Sequence, residues 1–215
     1  MVYASHVIFC AYGFWLPNDP RGSWSDFVGS WELLRFGRAT KTDSRRSTAW
    51  DFHDREARVA AKAALQYPPV RFTGLQARAV GRGFAALKAK AGLTIWACSI
   101  MPEHVHMVIA RHQYRVEQVV NLLKGEATRE LVAEGIHPLA AQAGADGKPP
   151  KAWSRGLWKV FLDSTEDIAG AIRYVKDNPA KEGLPRQEWA FVTEYEALAW
   201  ARDEGVQKHS PAARG

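Results

Sequence analysis

Two histidines separated by one residue, His104 and His106, are the clearest chemical feature of the sequence. Apolar residues follow them, so residues 104–110 are predicted to form a β-strand. Side chains alternate between the two faces of a strand, and both imidazoles are therefore expected on one face, a few ångströms apart. Two imidazoles in this arrangement can bind one divalent metal ion. The pair alone is also compatible with two unrelated histidines of a sheet.

A tyrosine and an asparagine stand four residues apart near the end of the chain, at Tyr174 and Asn178. Apolar residues at positions 168, 171, 172 and 175 recur at helical spacing and predict an amphipathic helix. Both polar side chains lie on one flank of that apolar stripe, at the edge of the core, where they can face a sheet that carries the histidines. Taken singly, the tyrosine is also compatible with a core-edge aromatic, and the asparagine with a helix cap before Pro179.

Together these four side chains suit phosphodiester chemistry. A tyrosine hydroxyl, with an ordinary pKa of about 10, is a weak nucleophile and needs help to attack a phosphate. A divalent ion held by His104, His106 and the side-chain oxygen of Asn178 would polarise a phosphate oxygen and neutralise developing charge. Such a donor set leaves coordination positions open for phosphate and water, which suits Mg²⁺ or Mn²⁺. The sequence thus predicts Tyr174 as a metal-assisted nucleophile.

The elements that must position these residues alternate between strands and helices. Residues 2–12 are rich in Val, Ile, Phe and Tyr and are predicted to be a central strand. Helices are predicted over 54–67, 73–91 and 116–134 and from Ser164 or Thr165 to about Asn178, and further strands over 93–100, 104–110 and 157–162, the last at a sheet edge. This order predicts the α+β class, with helices laid on an antiparallel sheet.

The length of 215 residues suits one domain over residues 1–200. Two stretches are predicted as insertions into it: about 18–50, with many Gly, Pro and Trp residues, and 136–151, a flexible loop. Residues 201–215 are predicted to be a flexible tail.

Net charge and cysteine content indicate which class of partner the protein binds and in which cellular compartment it occurs. A net charge of +6 favours a polyanionic partner, although solubility alone also explains it. Cys10 and Cys98 lie in apolar stretches and indicate buried thiols in a reducing compartment, not a disulfide framework. The start of the sequence has no signal-peptide pattern, and no apolar run approaches the ~20 residues that cross a membrane. We therefore expect a cytoplasmic protein with no membrane partner.

Several segments, in the right order, resemble the HUH single-tyrosine transposases, in particular the REP-associated tyrosine transposases and related insertion-sequence transposases. Residues 101–109 (Met-Pro-Glu-His-Val-His-Met-Val-Ile) resemble that family's Met-Pro-Asn-His-Val-His segment. Residues 174–184 resemble its Tyr-Ile-x-x-Asn-Pro-x-x-x-Gly-Leu element. A Leu-Lys-Gly match at 123–125, a tryptophan strand at 157–161 and a Trp-Leu-Pro match at 15–17 complete the set, whereas residues 23–50 and 136–151 have no counterpart.

The resemblance implies a ferredoxin-like (RRM-like) antiparallel sheet with helices on one face, plus loop insertions. It implies that Tyr174 attacks a phosphate of single-stranded DNA, which gives a 5′-phosphotyrosine bond and a free 3′-hydroxyl. The bond is later resealed to another strand without ATP. The family's usual substrate is a strand with imperfect hairpins that is cut near a hairpin foot, and the protein is expected to be a monomer or a homodimer.

Five residues are predicted to contact DNA. Lys124 and Arg129 share the helix after the histidine hairpin and can meet phosphates, although a solvated helix face explains them as well. Trp158 or Trp15 can stack an unpaired base, and both are equally compatible with core positions. Arg21 is a further candidate.

Two other functions are compatible with the same residues. A metal-dependent phosphodiesterase would use water instead of Tyr174 as the nucleophile. A domesticated protein that binds hairpin DNA or RNA would keep the fold without catalysis.

Overall fold

A four-stranded antiparallel sheet organises the part of the chain that the computed structural model describes, which is residues 2–14, 16, 33, 35–36 and 54–196. Its strands are β1 (Ala4–Cys10), β2 (Ile95–Ile100), β3 (His104–Ala110) and β4 (Trp158–Leu162). They lie in the order β2-β3-β1-β4, and every neighbouring pair is antiparallel. This is the ferredoxin-like arrangement, so the predicted α+β class is confirmed, with β1 in the centre and β4 at an edge.

Four helices accompany the sheet in the described residues: α1 (Arg55–Ala63), α2 (Gly74–Ala91), α3 (Val116–Ala133) and α4 (Thr165–Lys181). Local signals set their ends. Helix α2 begins with a capping box between Thr73 and Gln76 and ends at Gly92, whose φ of +67° is left-handed and favours glycine. Helix α4 is capped by Ser164, whose side chain accepts a hydrogen bond from the backbone N–H of Asp167. None of the described helices is long and apolar enough to span a membrane.

The helices cover both faces of the sheet, which corrects the expectation that they share one face. Helices α2 and α3 enclose the larger core with one set of strand residues, Phe9 and Met107 among them. Helix α4 packs on the opposite face, where Val175 joins a smaller cluster with Ala97 and Val108. The strands carry apolar residues on both faces, and each apolar face needs a cover of its own. We call these two surfaces the core face and the α4 face.

Helix α4 also continues beyond its predicted end at Asn178. Pro179 lies inside the helix, which runs on to Lys181. Gly183, with a φ of +68°, follows the C-terminus of the helix. The backbone N–H of the next residue, Leu184, donates to the Pro179 carbonyl at 2.8 Å. This six-to-one hydrogen bond is the Schellman closure, and it explains the Gly-Leu pair in the sequence element.

The two predicted insertions are described to different extents. Residues 136–151 contain a short 3₁₀ helix (Ala140–Gln142), and Leu139 is buried in the larger core. Of residues 18–50, only 33 and 35–36 are described, and Leu33 packs with Leu16 and Ala61. The predicted tail at 201–215 lies outside the described residues. The division into one domain with a flexible tail stays a prediction.

Candidate active site

The histidine pair lies on β3 and faces helix α4. His104 and His106 are both buried, and their ring centroids are 4.8 Å apart. Val105 and Met107, the alternate residues of the strand, are fully buried in the core on the other face. The strand therefore presents both imidazoles to one side, as alternation requires, while its apolar residues anchor it from behind.

Burial keeps His106 neutral. Removal from water, together with the neighbouring charges of His104, His6 and Lys181, lowers the pKa of His106 to about 2. Burial also lowers the pKa of His6, a neighbour on β1, to about 4. A neutral imidazole has one N–H and one free lone pair, and the lone pair is what a metal ion requires.

Tyr174 lies over these imidazoles. Its ring centroid is 5.7 Å from that of His106 and 5.6 Å from that of His6. The apolar stripe of α4, with Ile168, Ile172 and Val175, packs on the sheet and leaves the tyrosine on its flank, 45% exposed. A substrate phosphate therefore has access from solvent to the phenol, while the helix holds the ring against the histidines.

A buried hydroxyl fixes the register of α4 beside the histidines. Pro179 has no N–H, so the carbonyl of Val175 lacks the partner that a helix normally supplies four residues later. The Oγ of Ser99, which is almost fully buried on β2, donates to that carbonyl instead. Ser99 is also the cross-strand partner of His106. The same serine thus ties the residue after Tyr174 to the strand pair that carries His106.

Asn178 lies one turn beyond Tyr174 and is 7% exposed. Its Nδ2 is buried and makes no hydrogen bond to any of the described residues. The two ends of an amide are assigned from their surroundings, and a rotated Asn178 would present its oxygen at that position instead. Among the described residues, no three His, Cys, Asp or Glu side chains are grouped to hold a metal ion. The buried amide of Asn178 is of the right chemical type to add an oxygen ligand to the histidine pair, and such a donor set would fit Mg²⁺ or Mn²⁺.

Two residues of the site were not predicted. His6 reaches His106 from β1, with its Nε2 3.4 Å from the His106 Nδ1. Its signal in the sequence was a histidine inside an apolar, central strand. Lys181 lies two turns after Tyr174, and its Nζ is 4.8 Å from the centre of the tyrosine ring. Its signal was the basic residue within the Tyr-to-Gly element.

Lys124 does not lie where the DNA-contact prediction placed it. Its side chain is buried, and its Nζ donates to the backbone carbonyls of Ser154 and Gly156 at 3.0 and 2.7 Å. Burial lowers the pKa of Lys124 to about 8. The ammonium group holds the loop before β4 and is not free for a phosphate. The helical pattern assigned this position to the surface because it did not show that the loop folds over it.

The other four residues predicted to contact DNA lie in different environments or outside the described residues. Arg129 is exposed, but its guanidinium forms an ion pair with Glu126. Trp158 is half-buried beside the site and meets the ring of His6 edge-on, with the centroids 5.4 Å apart. Trp15 and Arg21 lie outside the described residues. Trp158 is therefore the predicted base-stacking residue that the structure places next to the histidines.

Comparisons with known proteins define the family. The model of the IS200-like transposase family matches residues 70–178, about half of the chain, so the chain belongs to this family. The predicted membership of the HUH single-tyrosine transposases is thereby confirmed.

Two solved structures are similar to the chain. One is a REP-associated tyrosine transposase bound to a REP hairpin, with 14% identity, a TM-score of 0.46 and coverage of 93% of this chain and 81% of that one. The other is a Deinococcus radiodurans protein described as a transposase, with 14% identity, a TM-score of 0.37 and coverage of 82% and 91%. No curated protein matches the sequence.

Proposed function

We propose that this transposase nicks and rejoins single-stranded DNA through a covalent bond between Tyr174 and a 5′-phosphate. The observation that supports the proposal most directly is the position of Tyr174, whose ring lies 5.7 Å from that of the buried His106 on the open side of the sheet. A nucleophile and a metal-ligand pair on one face are what a phosphoryl-transfer site requires.

Three side chains hold the divalent ion in this proposal: the two imidazoles of His104 and His106 and the amide oxygen of Asn178. When bound, Mg²⁺ or Mn²⁺ supplies positive charge that polarises the phosphate. The protein contributes two buried imidazoles, of which that of His106 is kept neutral by burial, and an amide held on a helix, so little rearrangement is needed before binding.

The first step exchanges one phosphate ester for another. The Tyr174 oxygen forms a bond to phosphorus while the bond from phosphorus to the 3′-oxygen breaks. The phenol proton passes to solvent, and the departing 3′-oxygen takes up a proton. The ammonium group of Lys181 lies beside the Tyr174 ring and attracts the negative charge that the phenol oxygen gains as it loses its proton. In the second step a 3′-hydroxyl of another strand attacks the phosphotyrosine and releases Tyr174, so no ATP is needed.

The substrate class follows from the family resemblance and from charge. The net charge of +6 favours a polyanion, and single-stranded DNA with hairpins is the proposed substrate. Trp158, half-buried at the site, is positioned to stack an unpaired base. The expected cellular location is the cytoplasm, where such DNA is available, and the expected assembly is a monomer or a homodimer.

A labelled-DNA assay tests the proposal. Purified protein is incubated with Mn²⁺ and end-labelled single strands from the DNA next to its own gene, and products are separated under denaturing conditions. We expect a protein–DNA adduct that EDTA prevents and that Tyr174→Phe abolishes. Tyr3→Phe is the matched control, because Tyr3 is also an exposed tyrosine but lies just before β1, outside helix α4. This variant should form the adduct normally.

Each rival function predicts a different result in the same assay. If Tyr174→Phe still cuts the DNA and no adduct forms in the unaltered protein, water is the nucleophile and the protein is a phosphodiesterase. Tight hairpin binding that is insensitive to EDTA, with no cleavage in Mn²⁺, would instead identify a non-catalytic binder.

A further inference from the structure

His6 and His106 form a direct pair across two strands. The His6 Nε2 is 3.4 Å from the His106 Nδ1, and the rings are inclined by only 23°. Ile8 is the cross-strand partner of His106, so His6 is its diagonal neighbour on the same face of the sheet. Both side chains are buried, with 7% and 4% exposure. The contact therefore belongs to the interior of the site.

Neighbouring rings restrict the orientation of His6. Trp158 meets it edge-on from β4 with centroids 5.4 Å apart, and Tyr174 meets it from α4 at 5.6 Å. The strand fixes its backbone, and these two rings flank its side chain. The Nε2 of His6 is thus held at a defined position facing His106.

The contact decides which nitrogen of His106 is available to a cation. A neutral imidazole carries its proton on one nitrogen and a lone pair on the other, and only the nitrogen with the lone pair can bind a metal. If the His106 nitrogen that faces His6 is the donor of this contact, the opposite nitrogen is unprotonated and keeps its lone pair. Histidine ligands in metal sites usually donate their second N–H to a neighbouring acceptor, most often a carboxylate, a backbone carbonyl or a water molecule.

We propose that His6 is a positioning residue that accepts the Nδ1–H of His106 and thereby fixes the tautomer in which the His106 Nε2 lone pair is available to the metal ion. The inference rests on the proposed metal site. In this proposal a residue of β1 orients a metal ligand on β3 that lies about a hundred residues later in the sequence.

A competing role for His6 is direct ligation of the same ion. Two nitrogens 3.4 Å apart can also share one metal. However, among the residues that the structure describes, no three His, Cys, Asp or Glu side chains are grouped as metal ligands, so His6 does not complete a three-histidine set with His104 and His106. The positioning role is therefore the one that the geometry favours, and the test separates the two.

Two variants distinguish an acceptor from a space-filling side chain. In His6→Gln, the side-chain oxygen can occupy about the position of Nε2 and accept the same hydrogen bond. In His6→Leu, a side chain of similar bulk fills the space without an acceptor. We expect Mn²⁺ affinity, measured by calorimetry or electron paramagnetic resonance, to fall about 10- to 100-fold in His6→Leu and to stay within about threefold in His6→Gln.

The tautomer is read directly by ¹⁵N–¹H correlation spectra of the imidazoles in the metal-free protein, with His106 assigned from the spectrum of His106→Ala. The unaltered protein and His6→Gln should show the Nδ1–H form of His106, and His6→Leu a mixture. This measurement requires no DNA cleavage, so it stands or fails separately from the proposed reaction.

Three results would overturn the inference. The first is an Nε2–H tautomer of His106 in the unaltered protein, which is decisive even if His6→Leu does not fold. The second is a tautomer and Mn²⁺ affinity in His6→Leu equal to those of the unaltered protein. The third is the loss of one histidine nitrogen from the Mn²⁺ coordination sphere in His6→Gln, seen by pulsed electron paramagnetic resonance, which would make His6 a ligand.

Discussion

The core face and the α4 face of the sheet are built from the same four strands but differ in what they bury. On the core face, the strands contribute residues such as Phe9, Val105 and Met107, which are fully enclosed with apolar residues of α2 and α3. On the α4 face, a small apolar cluster covers only part of the surface. The rest is buried polar side chains, including His6, Ser99 and His106. The core face resembles an ordinary protein interior, whereas the α4 face carries the polar side chains of the candidate site.

This division separates stability from activity. Apolar burial provides most of the free energy of folding, and the larger cluster lies on the core face. Buried polar groups contribute little net stability, but they hold a defined geometry when their partners are satisfied. We therefore expect substitutions on the core face to change unfolding, and substitutions on the α4 face to change catalysis first.

The largest expected contrast is between Phe84→Ala and Tyr174→Phe. Phe84 is fully buried between α2 and the sheet, and its truncation should lower the free energy of unfolding by about 3–5 kcal/mol. Tyr174→Phe removes one hydroxyl from a half-exposed ring and should change it by no more than about 0.5 kcal/mol, while abolishing the DNA adduct. Urea denaturation of both variants measures the difference. Equal destabilisation would contradict the division of roles.

An intermediate effect is expected where the α4 face depends on one hydrogen bond. Pro179 has no N–H to donate to the Val175 carbonyl, so Ser99→Ala removes the hydroxyl that donates to it instead. We expect the free energy of unfolding to fall by about 1–3 kcal/mol. The rate of adduct formation should also fall, because the position of Tyr174 against His106 is no longer fixed.

The control uses the proline itself. Pro179→Ala restores a backbone N–H that can donate to the Val175 carbonyl, so Ser99→Ala should cost less in that background. A double-mutant cycle by urea denaturation measures the coupling. Additive effects of the two substitutions would show that Ser99 does not replace the missing helix bond.

The smallest expected effect is a pH dependence of stability that comes from Lys124, a buried charged residue on the core face. Burial lowers the pKa of Lys124 to about 8, below its ordinary value of about 10.4, so the unfolded chain binds more protons between these pH values. Stability from this residue therefore rises with pH in that window. The difference in unfolding free energy between the unaltered protein and Lys124→Met should grow by about 1 kcal/mol from pH 8 to pH 9. A difference that is constant with pH would mean that the ammonium group is not buried as described.

Much of the fold was predictable because its signals are local. The β3 pattern placed His104 and His106 on one face, and the α4 stripe placed Tyr174 at the edge of the core. The order of elements predicted the antiparallel α+β sheet. Alternation, helical spacing and capping depend on residues within about one or two turns of each other, so the sequence carries them directly.

Other features were decided only when distant segments met. The contact of His6 with His106 joins residues a hundred positions apart, and the Ser99 bond to Val175 joins β2 to α4. The burial of Lys124 depends on a loop thirty residues later in the chain. The sequence by itself determined which side chains can do chemistry and which neighbours they share within an element. The tertiary structure decided which strand and helix face each other, because cross-sheet pairing and loop packing come from long-range burial that no local pattern records.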